Sequence, residues 1–276
     1  MTEAAPPPDR SYLLGTHDEE IARLGLQHRV WQAEAMTGWR AAGFTEGSRL
    51  IDVGAGPGWA TTDLARIVGK AGEVLALERS DRFLAHLAAT RDALGLDQIK
   101  PRRMDLMEDD FGADGFDGAW IRWVLAFLPD PTLALKKLAG ALKPGGALVI
   151  HEYVDWQTFR LLPEVESQRD FVDFVLADWR ASGTEPDISR RFGEMLPQAG
   201  FRIEAQRPIV WIARPDEYTW RWPHSFIHGY LRHLVGAGKV EQAWADRIRA
   251  DFDAASRDPN ARVVTPLVME TIARRV

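Results

Sequence analysis

The chain has 276 residues, 46% hydrophobic and 27% charged, with 34 Lys and Arg against 40 Asp and Glu and a formal net charge of −6. That length supports one large α/β domain with additions, and the acidic balance offers no broad cationic surface for duplex DNA or structured RNA. The lack of cysteine excludes disulfides, thiolate zinc sites and a thiol nucleophile. No charged-then-apolar leader pattern opens the sequence and no apolar run reaches about 18 residues, so a soluble, cytoplasmic protein that engages neither nucleic acid nor membrane is expected.

Residues 1–11, with Pro6-Pro7-Pro8, read as a disordered tail, and 12–276 as a single domain. Within 12–47 the spacing of Ile21, Leu24, Gly25, Val30, Trp31, Met36 and Trp39, after the polar start His17-Asp18-Glu19-Glu20, predicts N-terminal amphipathic helices. Residues 50–58, Leu-Ile-Asp-Val-Gly-Ala-Gly-Pro-Gly, are a hydrophobic strand running into a glycine-rich turn that opens a helix at Trp59. Gly54, Gly56 and Gly58 leave the backbone free of Cβ atoms, so that a ligand can lie against the chain and reach N–H groups at the helix start. The dinucleotide fingerprint requires a third glycine at position 59, where this chain has tryptophan. Asp52, two residues before the first glycine, would repel a pyrophosphate and attract a cationic amino-acid moiety. The turn therefore favours a zwitterion over a diphosphate.

Further along, a second strand, Gly72 to Glu78, ends in an acid, and a helix from Asp81 to Leu94 stops at Gly95. A third strand, Ile99 to Met104, leads into Asp105-Leu106, and a fourth spans Phe116 to Arg122. Asp130-Pro131 caps a helix through Leu142, and Pro144-Gly145-Gly146 reverses into a fifth strand that ends at His151-Glu152-Tyr153. Short buried strands alternating with helices imply an α/β, doubly wound, parallel sheet. Ligands bind beyond the carboxyl ends of such strands, so Asp52, Glu78, Asp105, Arg122 and Glu152-Tyr153 should surround one crevice.

Helical segments follow at 164–182 and Ser189 to Ala199, then a sixth strand from Phe201 to Ile212, helices over 216–236 and 239–256, and a last strand from Val263 to Ala273. The insertions 154–200 and 213–260 are assigned to an acceptor pocket or cap and to contacts of a homodimer. Eleven tryptophans against four tyrosines suggest aromatic walls for a flat or cationic acceptor. Trp31, Trp123, Trp156, Trp179 and Trp222, with Glu152, are the candidates for that wall. His224 and His228 share one helical face and, with Tyr153, are the candidates for moving a proton. They could also form a metal pair, but the glutamate of His-Glu-x-x-His is missing and no third ligand is evident, so no metal site is expected.

In order, Leu50 to Gly58, Gly72 to Glu78, Ile99 to Leu106, Phe116 to Arg122 and Leu142 to Ile150 cover roughly residues 48–153. This series resembles the class I S-adenosylmethionine-dependent methyltransferases, in particular the ubiquinone/menaquinone-biosynthesis-like small-molecule branch. The resemblance implies a Rossmann-like, mostly parallel, seven-stranded sheet. It implies that Asp52, Gly54, Ala55, Gly56 and Gly58 hold the methionine part of the cofactor, Glu78 and Arg79 the ribose, and Asp105 and Leu106 the adenine. Arg122 joins the same pocket, and the N-terminal helices would close it with Tyr12, Gln27 and Trp31. The implied reaction moves a methyl group from S-adenosylmethionine to an O, N or C atom of a small, aromatic or indole-like acceptor and leaves S-adenosylhomocysteine. Two alternatives stay open: an NAD-dependent oxidoreductase on a similar sheet, in which Glu78 would equally bind a ribose diol, and a non-catalytic protein that binds S-adenosylmethionine.

Overall fold

The computed structural model describes residues 15–112 and 115–276. Tyr12, a sequence candidate for the cofactor pocket, lies outside the described residues, as does the expected tail. Among the described residues seven strands form one sheet: β1 (Arg49–Val53), β2 (Glu73–Glu78), β3 (Ile99–Arg103), β4 (Phe116–Arg122), β5 (Leu142–Asp155), β7 (Phe201–Ile209) and β10 (Leu267–Arg275). Their order is β3-β2-β1-β4-β5-β10-β7. β3, β2, β1, β4 and β5 run parallel, whereas β10 is antiparallel to both β5 and β7. The direction of strand addition reverses between β1 and β4, which is where a ligand crevice opens in such sheets.

Both faces of the sheet are covered, which accounts for the nearly unbroken apolar runs in its strands. Leu50 faces one way, into a cluster with Trp39, Leu64 and Val74, and Ile51 the other, among Leu75, Leu135 and Leu148. α1 (Asp18–Ala42) and α2 (Trp59–Val68) cover the first face. The predicted N-terminal helices are thus one 25-residue helix, capped by the His17 side chain on Glu20 N–H and ended by Gly43 at φ 86°. α3 (Asp81–Leu94) is capped by Ser80 and stopped by left-handed Gly95. α4 (Pro131–Ala141) and α6 (Phe192–Gln198) cover the second face, α4 with Asp130 capping Leu133 N–H and proline in its first turn.

The two insertions fold against each other around a separate core. α5 (Glu166–Ala181), α7 (Arg221–Gly236) and α8 (Gln242–Ala255) pack Trp156, Phe171, Trp179, Tyr230 and Phe252 together. A three-stranded antiparallel sheet completes this layer: β6 (Arg160–Leu162), β9 (Arg262–Val264) and β8 (Ile212–Ala213), in the order β6-β9-β8. The sequence pattern did not disclose this second sheet. What reads as one sixth strand to Ile212 leaves the large sheet after Ile209, and what reads as one last strand is interrupted at Thr265-Pro266, where proline has no N–H for the ladder. Thr265 bridges the gap by exchanging hydrogen bonds with the Trp211 backbone. None of the described helices is long and apolar enough to cross a membrane.

α1 is anchored to the sheet by buried charges. Glu270 of β10, 3% exposed, accepts from His151 Nε2 at 2.7 Å and from Arg207 at 2.6 Å, and Arg207 also reaches Glu34 of α1 at 2.7 Å. Gly38 permits the close approach, since a Cβ there would overlap the Glu270 carboxylate. Removing Glu270 would leave the buried His151 Nε2 without its partner and Arg207 with Glu34 alone. Glu270→Ala should therefore cost about 3 kcal/mol in urea unfolding, and a loss under about 1 kcal/mol would mean that the network does not anchor α1.

Candidate active site

The turn after β1 holds Gly54, Gly56 and Gly58 at φ 68°, 57° and 91°, the left-handed region that favours glycine. Their side faces differ. A Cβ at Gly54 would run into Val124 and one at Gly58 into Leu87, while one at Gly56 would meet nothing within 4 Å. The sequence reading that all three open the backbone to a ligand is thus corrected: Gly56 alone faces free space, and the other two admit packing neighbours. Ala55 is buried and donates its N–H to Leu77 O. Trp59, in the place of the dinucleotide motif's third glycine, lies on Gly25 of α1 and donates its indole N–H to Ile21 O at 3.2 Å.

Asp52, 2% exposed, accepts from Thr61 Oγ1 at 2.6 Å. Burial raises its carboxyl to about 6, opposed by the Thr61 hydrogen bond and by the charge of Arg122. Arg122, at the end of the adjacent β4, is pulled down to about 10 by burial but stays cationic at neutral pH, held by Asp52. One guanidinium nitrogen reaches His28 Nδ1 at 3.0 Å, and another, NH1, is buried without a hydrogen-bond partner. Because arginine only donates, His28 Nδ1 must accept, and its Nε2–H donates to Asp63 Oδ2 at 2.9 Å. Burial lowers His28, which agrees with this neutral tautomer. Asp63 also accepts from Gln32 at 2.5 Å and Arg66 at 3.1 Å. This chain from α2 through α1 to β4 is a feature the sequence reading missed.

Glu78 accepts from Gly56 N at 2.9 Å and from the Arg79 and Ser80 N–H groups, both at 2.8 Å. Burial raises its carboxyl against these bonds. Its two oxygens offer about four acceptor positions, so the turn uses three and one remains for a ligand hydroxyl. Asp105 accepts from Met107 N at 2.9 Å and from Arg79 at 3.3 Å, while the Leu106 side chain belongs to the core under α4.

An aromatic wall stands beside Arg122. Trp123 has φ 53°, the left-handed region in a non-glycine residue. Its ring stacks between Tyr153 (5.3 Å, 16°) and Trp222 (5.9 Å, 4°), and Trp31 meets both tryptophans edge-on at 5.1 Å. Gln27 accepts from the Trp222 indole N–H at 3.1 Å. Gln27, Trp31, Trp123, Tyr153 and Trp222 are therefore brought together, joined by Trp211. Trp156 and Trp179 lie apart from these, 5.2 Å from each other in the core of the insertions, and are buried as deeply as Trp31 and Trp222. His224 and His228 point to Asp253 of α8.

Side chains alternate along β5. His151 faces Glu270, Tyr153 faces Trp123, and Glu152 turns the opposite way to accept from Val124 N (2.7 Å) and Leu125 N (2.8 Å). Glu152 thereby fixes the chain after Trp123 rather than lining an aromatic wall. Its second oxygen is buried without a partner, and burial pushes the carboxyl up to about 8. A carboxyl raised above its unfolded value stabilises the fold below the unfolded pKa and loses that contribution as pH rises through the folded one. Glu152→Gln, which keeps an accepting carbonyl, should therefore gain stability relative to the parent as pH rises from about 5 to about 8. Urea titrations at both ends of that range measure this, and a difference independent of pH would refute it.

Residues 51–150 match the methyltransferase domain family. The demethylmenaquinone methyltransferase of Staphylococcus aureus (strain JH9) is 32% identical over 126 residues, 46% of this chain and 50% of the relative. The chain thus spans about half the length of the curated relatives it matches. Among solved structures, a geranyl diphosphate methyltransferase in complex with GPP and sinefungin superposes with a TM-score of 0.56 at 14% identity, over 90% of this chain and 79% of that one. The [4+2]-cyclase SpnF does so with a TM-score of 0.52 at 21% identity, over 84% and 76%. The chain thus has the fold of these structures, and its glycine turn lies within the segment that matches the methyltransferase domain family.

Proposed function

We propose that the protein transfers a methyl group from S-adenosylmethionine to a small acceptor with a flat, aromatic or indole-like ring. The observation that carries this reading is the buried Asp52 carboxyl under the charge of Arg122 on the adjacent strand, with one guanidinium nitrogen, NH1, buried without a protein acceptor. The residues fit an amino-acid head group: a carboxylate is available for its ammonium, an unsatisfied cation for its carboxylate, and an open glycine where the backbone must be approached. When bound, the sulfonium supplies the electrophilic methyl carbon. The chain's own task is to position the acceptor in line and exclude water.

The aromatic cluster of Tyr153, Trp123 and Trp222, with the Arg122 guanidinium 5.3 Å from the Trp123 ring, supports an aromatic acceptor packed at its edge. Burial, reinforced by Glu152, holds the Tyr153 phenol protonated above its ordinary range. Tyr153 therefore donates a hydrogen bond and orients the acceptor instead of removing its proton. His28 is engaged on both ring nitrogens. Supporting a small acceptor, one similar protein is named for demethylmenaquinone and another for geranyl diphosphate. The NAD alternative would set a diphosphate against the Asp52 carboxylate and the Trp59 ring.

Arg122→Gln should weaken S-adenosylmethionine binding about ten- to a hundredfold, the worth of one charge-assisted hydrogen bond. Calorimetry that finds no change would remove Arg122 from the site. Affinity should also fall about tenfold per pH unit below about 6, as Asp52 takes up its proton, and Asp52→Asn should flatten that dependence. Transfer itself is tested by mass spectrometry of cell-extract metabolites that gain one methyl group with protein and cofactor. Retained cofactor binding with no methylated product in any extract would favour the non-catalytic reading.

A further inference from the structure

On the outside of the cap, α7 and α8 bring three side chains to one point. His224 and His228, one turn apart on α7, stack with ring centroids 4.2 Å apart and 24° between planes. Both aim Nε2 at the same Asp253 Oδ1 of α8, at 3.4 and 3.0 Å. One donor atom from each of the three residues lies within 4.8 Å of the others. Their side chains are 42%, 21% and 39% exposed, so an ion with a water could enter.

We propose that His224, His228 and Asp253 bind a divalent transition-metal ion of the zinc type through two imidazole nitrogens and one carboxylate oxygen. The donor set suits zinc: imidazole favours the later first-row ions over magnesium or calcium, and three protein ligands leave a fourth position for water. Ligands about 2.0–2.1 Å from a tetrahedral ion lie about 3.3 Å apart, close to the spacing already present between each Nε2 and Asp253. The ion takes the place of the proton that an Nε2 shares with the carboxylate, and that proton leaves to solvent.

Nearby cations have other partners. Arg249 of α8 pairs with Asp246 at 2.8 Å, and Arg232 of α7 pairs with Glu19 of α1 at 3.6 Å. α7 also carries Trp222, so the ion would staple the helix bearing the aromatic wall to α8 without touching Asp52, Glu78 or Arg122. The sequence lacked the third ligand because Asp253 sits on another helix.

The test is calorimetry and thermal unfolding of the whole chain with zinc chloride, with magnesium chloride as control, at about pH 7.5 where imidazole is neutral. The expected results are one equivalent of zinc bound, a raised Tm with zinc, and no response to magnesium. His228→Ala and Asp253→Asn, each confirmed folded by circular dichroism, should weaken zinc binding at least tenfold, on the order of what lost ligand support costs at other sites, and should abolish the Tm shift. No zinc binding by the parent, equal binding by both variants, or an equal response to magnesium would each overturn the proposal. None of these readouts depends on methyl transfer.

Discussion

A guanidinium buried beyond the end of the central strand sets conditions that the surrounding structure meets. Taking a charge out of water costs several kcal/mol unless partners replace the lost hydration. Around Arg122 the chain supplies the His28 lone pair from α1 and, from the neighbouring strand, the charge of Asp52. His28 can accept from Arg122 only if its other nitrogen carries the proton, and Asp63 of α2 takes that proton's hydrogen bond while being held by Gln32 and Arg66. α1, α2 and β4 are thereby tied at one end of the sheet. Arg122 NH1 is buried without a hydrogen-bond partner, and under the proposed function it would take the anionic group of the ligand.

Charge and aromatic packing divide the work along β5. His151 turns toward Glu270 and Arg207 and helps fix α1 on the sheet. Glu152 turns the other way and holds the backbone after Trp123. Tyr153 turns back to stack on Trp123. Three consecutive residues thus serve the anchoring of α1, the loop after β4 and the aromatic wall in turn, as strand alternation dictates. The left-handed Trp123 is a strained position, retained where the rings of Tyr153, Trp31 and Trp222 and the Glu152 hydrogen bonds over-determine it.

The parallel core was legible because its signals are local. Leu50 to Gly58, Asp81 with Gly95, and Asp130-Pro131 each combine strand, cap or turn chemistry within a few residues, and the structure places each element there. The functions of single glycines were not legible, since Gly54 and Gly58 are dictated by Val124 and Leu87, distant in sequence. His28 looked like any helical histidine because its partners lie 35 and 94 residues away. Trp156 and Trp179 carried the same composition signal as Trp123 and Trp222, and only packing sorts them into two separate clusters. The small β6-β9-β8 sheet escaped notice for a similar reason: strands of two or three residues carry no periodicity.

The central claim is that Asp52 and Arg122 recognise an amino-acid head group. Calorimetry comparing S-adenosylhomocysteine with 5′-methylthioadenosine, which keeps the nucleoside and lacks that head group, tests it most directly. S-adenosylhomocysteine should bind at least about a hundredfold more tightly, the worth of two charge-assisted contacts. Equal affinities would contradict it.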